Sequence, residues 1–204
     1  MAPARPLRLL RPATPALHGR AAEDLRFIRE TMENAGSFTA VPGKAGVAMG
    51  AVGCVAAVVA SMQTSLSPWL CVWLAGAAAA IGVGAVGLVR KSSAAGRPVL
   101  LGVGAKFVRS LCPPLFAGAI LTAVLWCAGL ATALPGTWLL LYGTGLMTAG
   151  AFSVRVVPVM GAGFMALGAA AFVSPAAWGD LWMALGFGGL HAAFGFHIGR
   201  RHGG

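Results

Sequence analysis

The sequence predicts an all-α integral membrane protein, and three observations predict it. Of 204 residues, 58% are hydrophobic and only 10% charged. A soluble domain carries roughly 25% charged residues, and a chain this small would need a polar shell in water. Second, a hydrocarbon core about 30 Å thick takes about 20 apolar residues per helix, and six runs of about that length are present. Third, all fifteen Lys and Arg fall at one end of those runs. The expected architecture is six transmembrane helices in three hairpins, with both termini cytoplasmic and an amphipathic helix before the first span.

The first segment, residues 1–20, is basic, Pro-rich and free of acids, and reads as a disordered tail. Arg5, Arg8 and Arg11 interleave with Leu7, Leu9 and Leu10, which suits a lipid surface. A mitochondrial transit peptide has a similar bias, and translation starting further along is a third possibility. Residues 21–44 hold a cytoplasmic or interfacial helix and a lead-in. Leu25, Ile28 and Met32 form an apolar stripe. Glu23 and Asp24 suit the N-terminal end of the helix dipole. Arg26 with Glu30, and Arg29 with Glu33, stand four residues apart as weakly stabilising pairs. Such a helix lies on the bilayer or docks a partner. Four of the five acidic residues sit in it, which is unusual beside an anionic leaflet and makes docking the sharper alternative to lying on the bilayer.

The spans are expected at about 45–61, 69–89, 114–134, 137–152, 156–173 and 178–199, closed by a tail at 200–204. Residues 98–112 read as a second interfacial helix. Leu100, Val103, Phe107 and Leu111 would face lipid, with Lys106 and Arg109 among headgroups. Arg155 keeps the fourth and fifth spans apart, because a charge at the bilayer centre costs about 2.5–3.5 kcal/mol on insertion scales. The loops 62–68, 135–136 and 174–177 hold no Lys or Arg. The positive-inside rule then puts them outside and the termini in the cytoplasm. Each outer turn also carries a Pro followed by a Trp, namely Pro68-Trp69, Pro135 with Trp138, and Pro175 with Trp178. Proline suits the first turn of a helix, and tryptophan the headgroup level.

Inside the spans, small residues recur at spacings that let helices approach. Gly76, Ala80 and Gly84 share a ridge, as do Gly46 and Gly50, Gly145 and Ala149, Gly188 and Ala192, and Gly195 and Gly199. They predict a tight bundle. Cys54, Cys71, Cys112 and Cys127 show no metal or redox spacing and read as small packing residues. The net charge of +10 flanks apolar runs rather than lining a groove, so its expected partners are lipids and not nucleic acid.

The polar inventory is short. Asp180, in the first turn of the sixth span, reads as a capping or hydrogen-bonding carboxylate. Thr122, Tyr142, Thr144 and Thr148 can be satisfied on backbone carbonyls. His191, near mid-membrane, is the candidate functional residue, since intramembrane ionisable groups are costly and often functional. Its structural alternative is a neutral imidazole bonded to a neighbouring helix. A haem or chlorophyll could use it as an axial ligand, with Gly188, Ala192 and Gly195 clearing space, although no second His lies at that depth. No cofactor or metal is otherwise expected. Lys, Arg and Glu are missing from the span centres, and HExxH, GxSxG and P-loop patterns from the chain.

The stretch DLRFIRETMENAGSFTAVPGKAGVAMG (24–50) and the ending LHAAFGFHIGRR (190–201) resemble a group of small six-span bacterial inner-membrane proteins. That resemblance implies the fold and the location, and no catalytic residue. The expected function is therefore that of a non-enzymatic accessory, structural or regulatory subunit of a membrane assembly. Arg26, Arg29, Glu30 and Glu33 are its expected partner contacts. The alternatives are a small-molecule transporter or channel with a path near His191, Tyr142 and Thr144, and a cofactor-binding subunit using His191.

Overall fold

The computed structural model describes residues 19–20, 22–28, 32, 41–94, 96 and 100–202, which are helical apart from short turns, with no strand among them. Two compact units are present, residues 1–36 and the rest. In the first, residues 22–28 are helical with every side chain exposed, as the amphipathic pattern predicts. Arg29, Glu30 and Glu33 lie outside the described residues.

The second unit is a bundle of six helices: α1 (Gly43–Ser61), α2 (Leu66–Ala94), α3 (Gly102–Cys127), α4 (Leu134–Gly150), α5 (Val156–Val173) and α6 (Ala176–Arg201). Five of these, all but α4, are long and apolar enough to cross a membrane. Helix α4 has 17 residues, or about 25 Å at about 1.5 Å per residue.

Helix α5 occupies the expected 156–173. Helix α3 differs most from expectation. Its proline pair, Pro113 and Pro114, does not start the span but lies inside a helix that begins at Gly102. The predicted interfacial segment is thus continuous with the third apolar helix. A proline in mid-helix leaves the carbonyl four residues earlier without its donor. The carbonyl freed by Pro114 is that of Ser110, and the Thr148 hydroxyl of α4 lies 3.1 Å from it. Helix α3 then stops at Cys127 rather than near 134. Gly129 takes a positive φ of 72°, and the N–H of Leu130 bonds the Leu125 carbonyl at 2.8 Å. This is a Schellman ending, which glycine makes possible.

Packing sorts the helices into two kinds. α4 lies along α5, and α1 along α6, with backbones nearly touching. Gly143 and Gly161 face each other closely enough that a Cβ on either would meet the other's carbonyl oxygen at 2.7 and 2.8 Å. Glycines seven residues apart, Gly136, Gly143 and Gly150 on α4 and Gly161 and Gly168 on α5, keep this seam close over about four turns of α4. Along α1, Gly43, Gly46, Gly50 and Gly53 meet Gly199, Gly195, Ala192 and Phe187 in turn. The predicted pairs Gly46 and Gly50, Gly188 and Ala192, and Gly195 and Gly199 therefore belong to an intramolecular seam, whereas Gly76 and Gly84 of α2 face Ala56 and Met49 of α1. Gly145 is an exception, since it faces Leu111 of α3 rather than α5. By contrast, α2 and α3 are peripheral. Only Trp73 and Ser92 of α2 are buried, and Leu74, Ile81, Val86, Phe116, Ile120 and Val124 are exposed.

Candidate functional site

The one ionisable side chain among the described buried residues of the bundle is His191, which is 4% exposed. It follows a π-helical stretch, Ala184–Leu190, in the middle of α6. A π turn holds one residue more than an α turn, so the chain beyond it is rotated by about 100° relative to an uninterrupted helix. Gly186, Gly188 and Gly189 lie in this stretch. At Gly186 any side chain would strike Leu139 and Phe164, so the wide turn and its tight packing need the same residue type.

The imidazole points between α4 and α5. Its Nε2 lies 2.7 Å from the Tyr142 hydroxyl. Phe164, fully buried, meets the Tyr142 ring edge-on at 4.8 Å and the His191 ring at 5.3 Å. Phe187 stacks on the imidazole at 6.2 Å. Nδ1 makes no well-formed hydrogen bond and faces the carbonyls of Phe187 and Gly186. A carbonyl only accepts, so a proton on Nδ1 satisfies that side best. Nε2 is then the acceptor and the tyrosine hydroxyl the donor. The result is a neutral pair joining α4 to α6 inside an aromatic wall.

The transporter alternative grouped His191, Tyr142 and Thr144, and the structure brings the first two into contact. Thr144 turns away and donates to its own Leu140 carbonyl at 2.9 Å. The glycines expected to clear space beside His191 do not. Gly188 abuts Cys54, Ala192 abuts Gly50 and Gly195 abuts Val47, so helix α1 fills that face. A flat tetrapyrrole on His191 would have to displace α1 on one side or Phe164 and Phe187 on the other. Among the described residues, no group of three or more His, Cys, Asp or Glu could hold a metal. His197 is exposed on the last turns of α6.

A second polar centre lies at the other end of α6, and sequence reasoning saw only half of it. Asp180 does not cap its helix. Its Oδ1 instead accepts the indole N–H groups of Trp69 at 2.8 Å and Trp73 at 2.9 Å, both on α2. Trp69 in turn stacks on Trp138 of α4, with centroids 6.0 Å apart and planes 6° from parallel. Trp138 donates to the Thr122 hydroxyl of α3 at 2.8 Å. Trp182 donates to Ser174 at 2.7 Å. Trp69 and Trp138, expected at the headgroup level, are thus tied inward together with Trp73 and Trp182, and they connect α2, α3, α4 and α6. The clustering of Trp and one Asp near the Pro-marked turns was the available signal.

At the opposite end, Lys91 donates to the Val41 carbonyl at 2.9 Å and ties the end of α2 to the lead-in of α1. Arg26 is exposed on the N-terminal helix. Compared with known protein families, with curated proteins and with solved structures, the chain finds no match in any of the three.

Proposed function

We propose that the chain is a six-span protein of the bacterial cytoplasmic membrane, with three hairpins and both termini inside. It works without catalysis, as an accessory, structural or regulatory subunit of a membrane assembly. Helix α4 counts as the sixth span: Arg155 beside it belongs at an interface, and a slightly short helix is accommodated by local thinning.

One observation carries the accessory role. Leu25, Phe27, Ile28 and Met32 of the N-terminal helix are all more than half exposed, alongside Asp24 and Arg26. An exposed helix of mixed apolar and charged surface needs a cover, and grooves of other proteins provide one. The acids around it disfavour an anionic leaflet as that cover. Arg26, Arg29, Glu30 and Glu33 would set the partner's orientation. The bundle interior supports the same reading, because Nε2 of His191 is engaged by Tyr142 of the same chain.

A photoreactive residue at Phe27, activated in native membranes, tests the proposal. The expected result is a discrete protein adduct that Arg26→Glu weakens severalfold. Adducts with lipid alone would overturn it.

A second reading, a small-molecule transporter or channel, is favoured by the unengaged Nδ1 of His191 beside Tyr142. Under it, a folded His191→Leu variant loses uptake or conductance in proteoliposomes. Equal flux in that variant would dismiss it.

A further inference from the structure

Asp180 presents an unbalanced charge. It is the one acidic residue beyond position 33, and the chain holds no Lys or Arg between positions 45 and 89, 110 and 154, or 156 and 199. Every cation of the bundle sequence thus belongs to the opposite ends of the helices. Asp180 is only partly buried, and its two donors, Trp69 and Trp73, are neutral and share a single oxygen. Oδ2 has no hydrogen-bond partner among the described residues. It is not sealed either, since the enclosed, unpartnered atoms are Ser92 Oγ and His191 Nδ1. If Asp180 served only to fasten α2 to α6, an uncharged acceptor would serve as well.

We propose that Asp180, with its collar of Trp69, Trp73 and Trp138, is a binding site for an organic ammonium group. The carboxylate supplies the counter-charge, and Oδ2 accepts an N–H from the ligand. The indoles of Trp69 and Trp73 present their N–H edges to the carboxylate, and Trp138 stacks on Trp69, so aromatic surface frames the charge. Trp69 and Trp73 have a second task, because their N–H groups fix the carboxylate so that Oδ2 is the oxygen left open. A ligand with N–H donors fits better than a trimethylated one. Two sources share that chemistry, an ethanolamine lipid headgroup and a free primary amine. The site does not depend on the accessory-subunit reading above.

The test uses the full chain in phosphatidylglycerol nanodiscs, read by tryptophan fluorescence, since three of the site's own side chains, Trp69, Trp73 and Trp138, are reporters. Ethanolamine, or phosphatidylethanolamine added to the disc, should give a saturable change, while ethylene glycol, its neutral analogue, should give none. A response to the lipid alone assigns the site to headgroups, and a response to the free amine assigns it to soluble ligands. Asp180→Asn keeps an oxygen for the two indoles but removes the charge, so it should weaken binding at least tenfold. Asp180→Glu, which keeps the charge, should retain more of the binding. Equal responses to ethanolamine and ethylene glycol in the wild-type protein would overturn the proposal, whether or not Asp180→Asn folds. So would unchanged binding by a folded Asp180→Asn, or no saturable response from either amine source.

Discussion

The seam between α1 and α6 and the outer faces of α2 and α3 all lie on apolar helices, yet they are built on opposite rules. Along the seam, Gly43, Gly46, Gly50 and Gly53 let one backbone lie against another, and the gap is narrower than a methyl group. On α2 and α3 large apolar side chains stand outward, and Leu74, Ile81, Phe116 and Val124 remain uncovered. In a bilayer, helices gain little from burying apolar surface, because lipid tails are as apolar as leucine. They gain from close contact over small residues and from hydrogen bonds between helices. The seam uses the first, and the Tyr142–His191 and Asp180–tryptophan links use the second. Bulk apolar side chains are left to the lipid.

That contrast can be broken at four places, in descending order of effect. Gly195→Val places a branched side chain against the Val47 N–H and the Gly46 backbone. No flexible side chain is there to yield, so the helices must part. The expected loss is about 3 kcal/mol or more, at or above the usual cost of overpacking, measured by unfolding in mixed micelles. Tyr142→Phe removes the donor to His191 and leaves an enclosed imidazole nitrogen without its partner. A loss of about 1–2 kcal/mol is expected in the same assay. Thr148→Val removes the hydroxyl beside the Ser110 carbonyl, and should cost about 1 kcal/mol while raising amide exchange around Pro113 and Pro114. Ile81→Ala, on the lipid face of α2, should fall within about 0.5 kcal/mol of the parent. A loss there as large as at Gly195 would mean that the outer face is buried against something.

The helices were legible in the sequence because their signals are local. Val156–Val173 is flanked by Arg155 on one side and by Ser174-Pro175 on the other, and its ends needed nothing else. The start of α3 was misplaced because its repair is remote. Pro113 and Pro114 read as a boundary, and the Thr148 hydroxyl beside the Ser110 carbonyl lies on another helix, beyond any local signal. The candidate site follows the same division. His191 and Tyr142 each stand out as polar residues in apolar runs, but their hydrogen bond joins positions 49 apart. Asp180 sits where a helix-capping carboxylate belongs, and nothing nearby announces that Trp69 and Trp73, more than 100 positions earlier, occupy it. The π turn ahead of His191 leaves only a weak trace, the glycines at 186, 188 and 189.

The whole account depends on a bilayer lying between the two ends of the bundle. With the four native cysteines replaced, single cysteines at Ser65, before α2, and at Ala94, at its end, can be challenged in intact cells with a membrane-impermeant maleimide. The account predicts rapid labelling at position 65 and none at position 94 until the cells are opened. Labelling of both positions from the same side would contradict it.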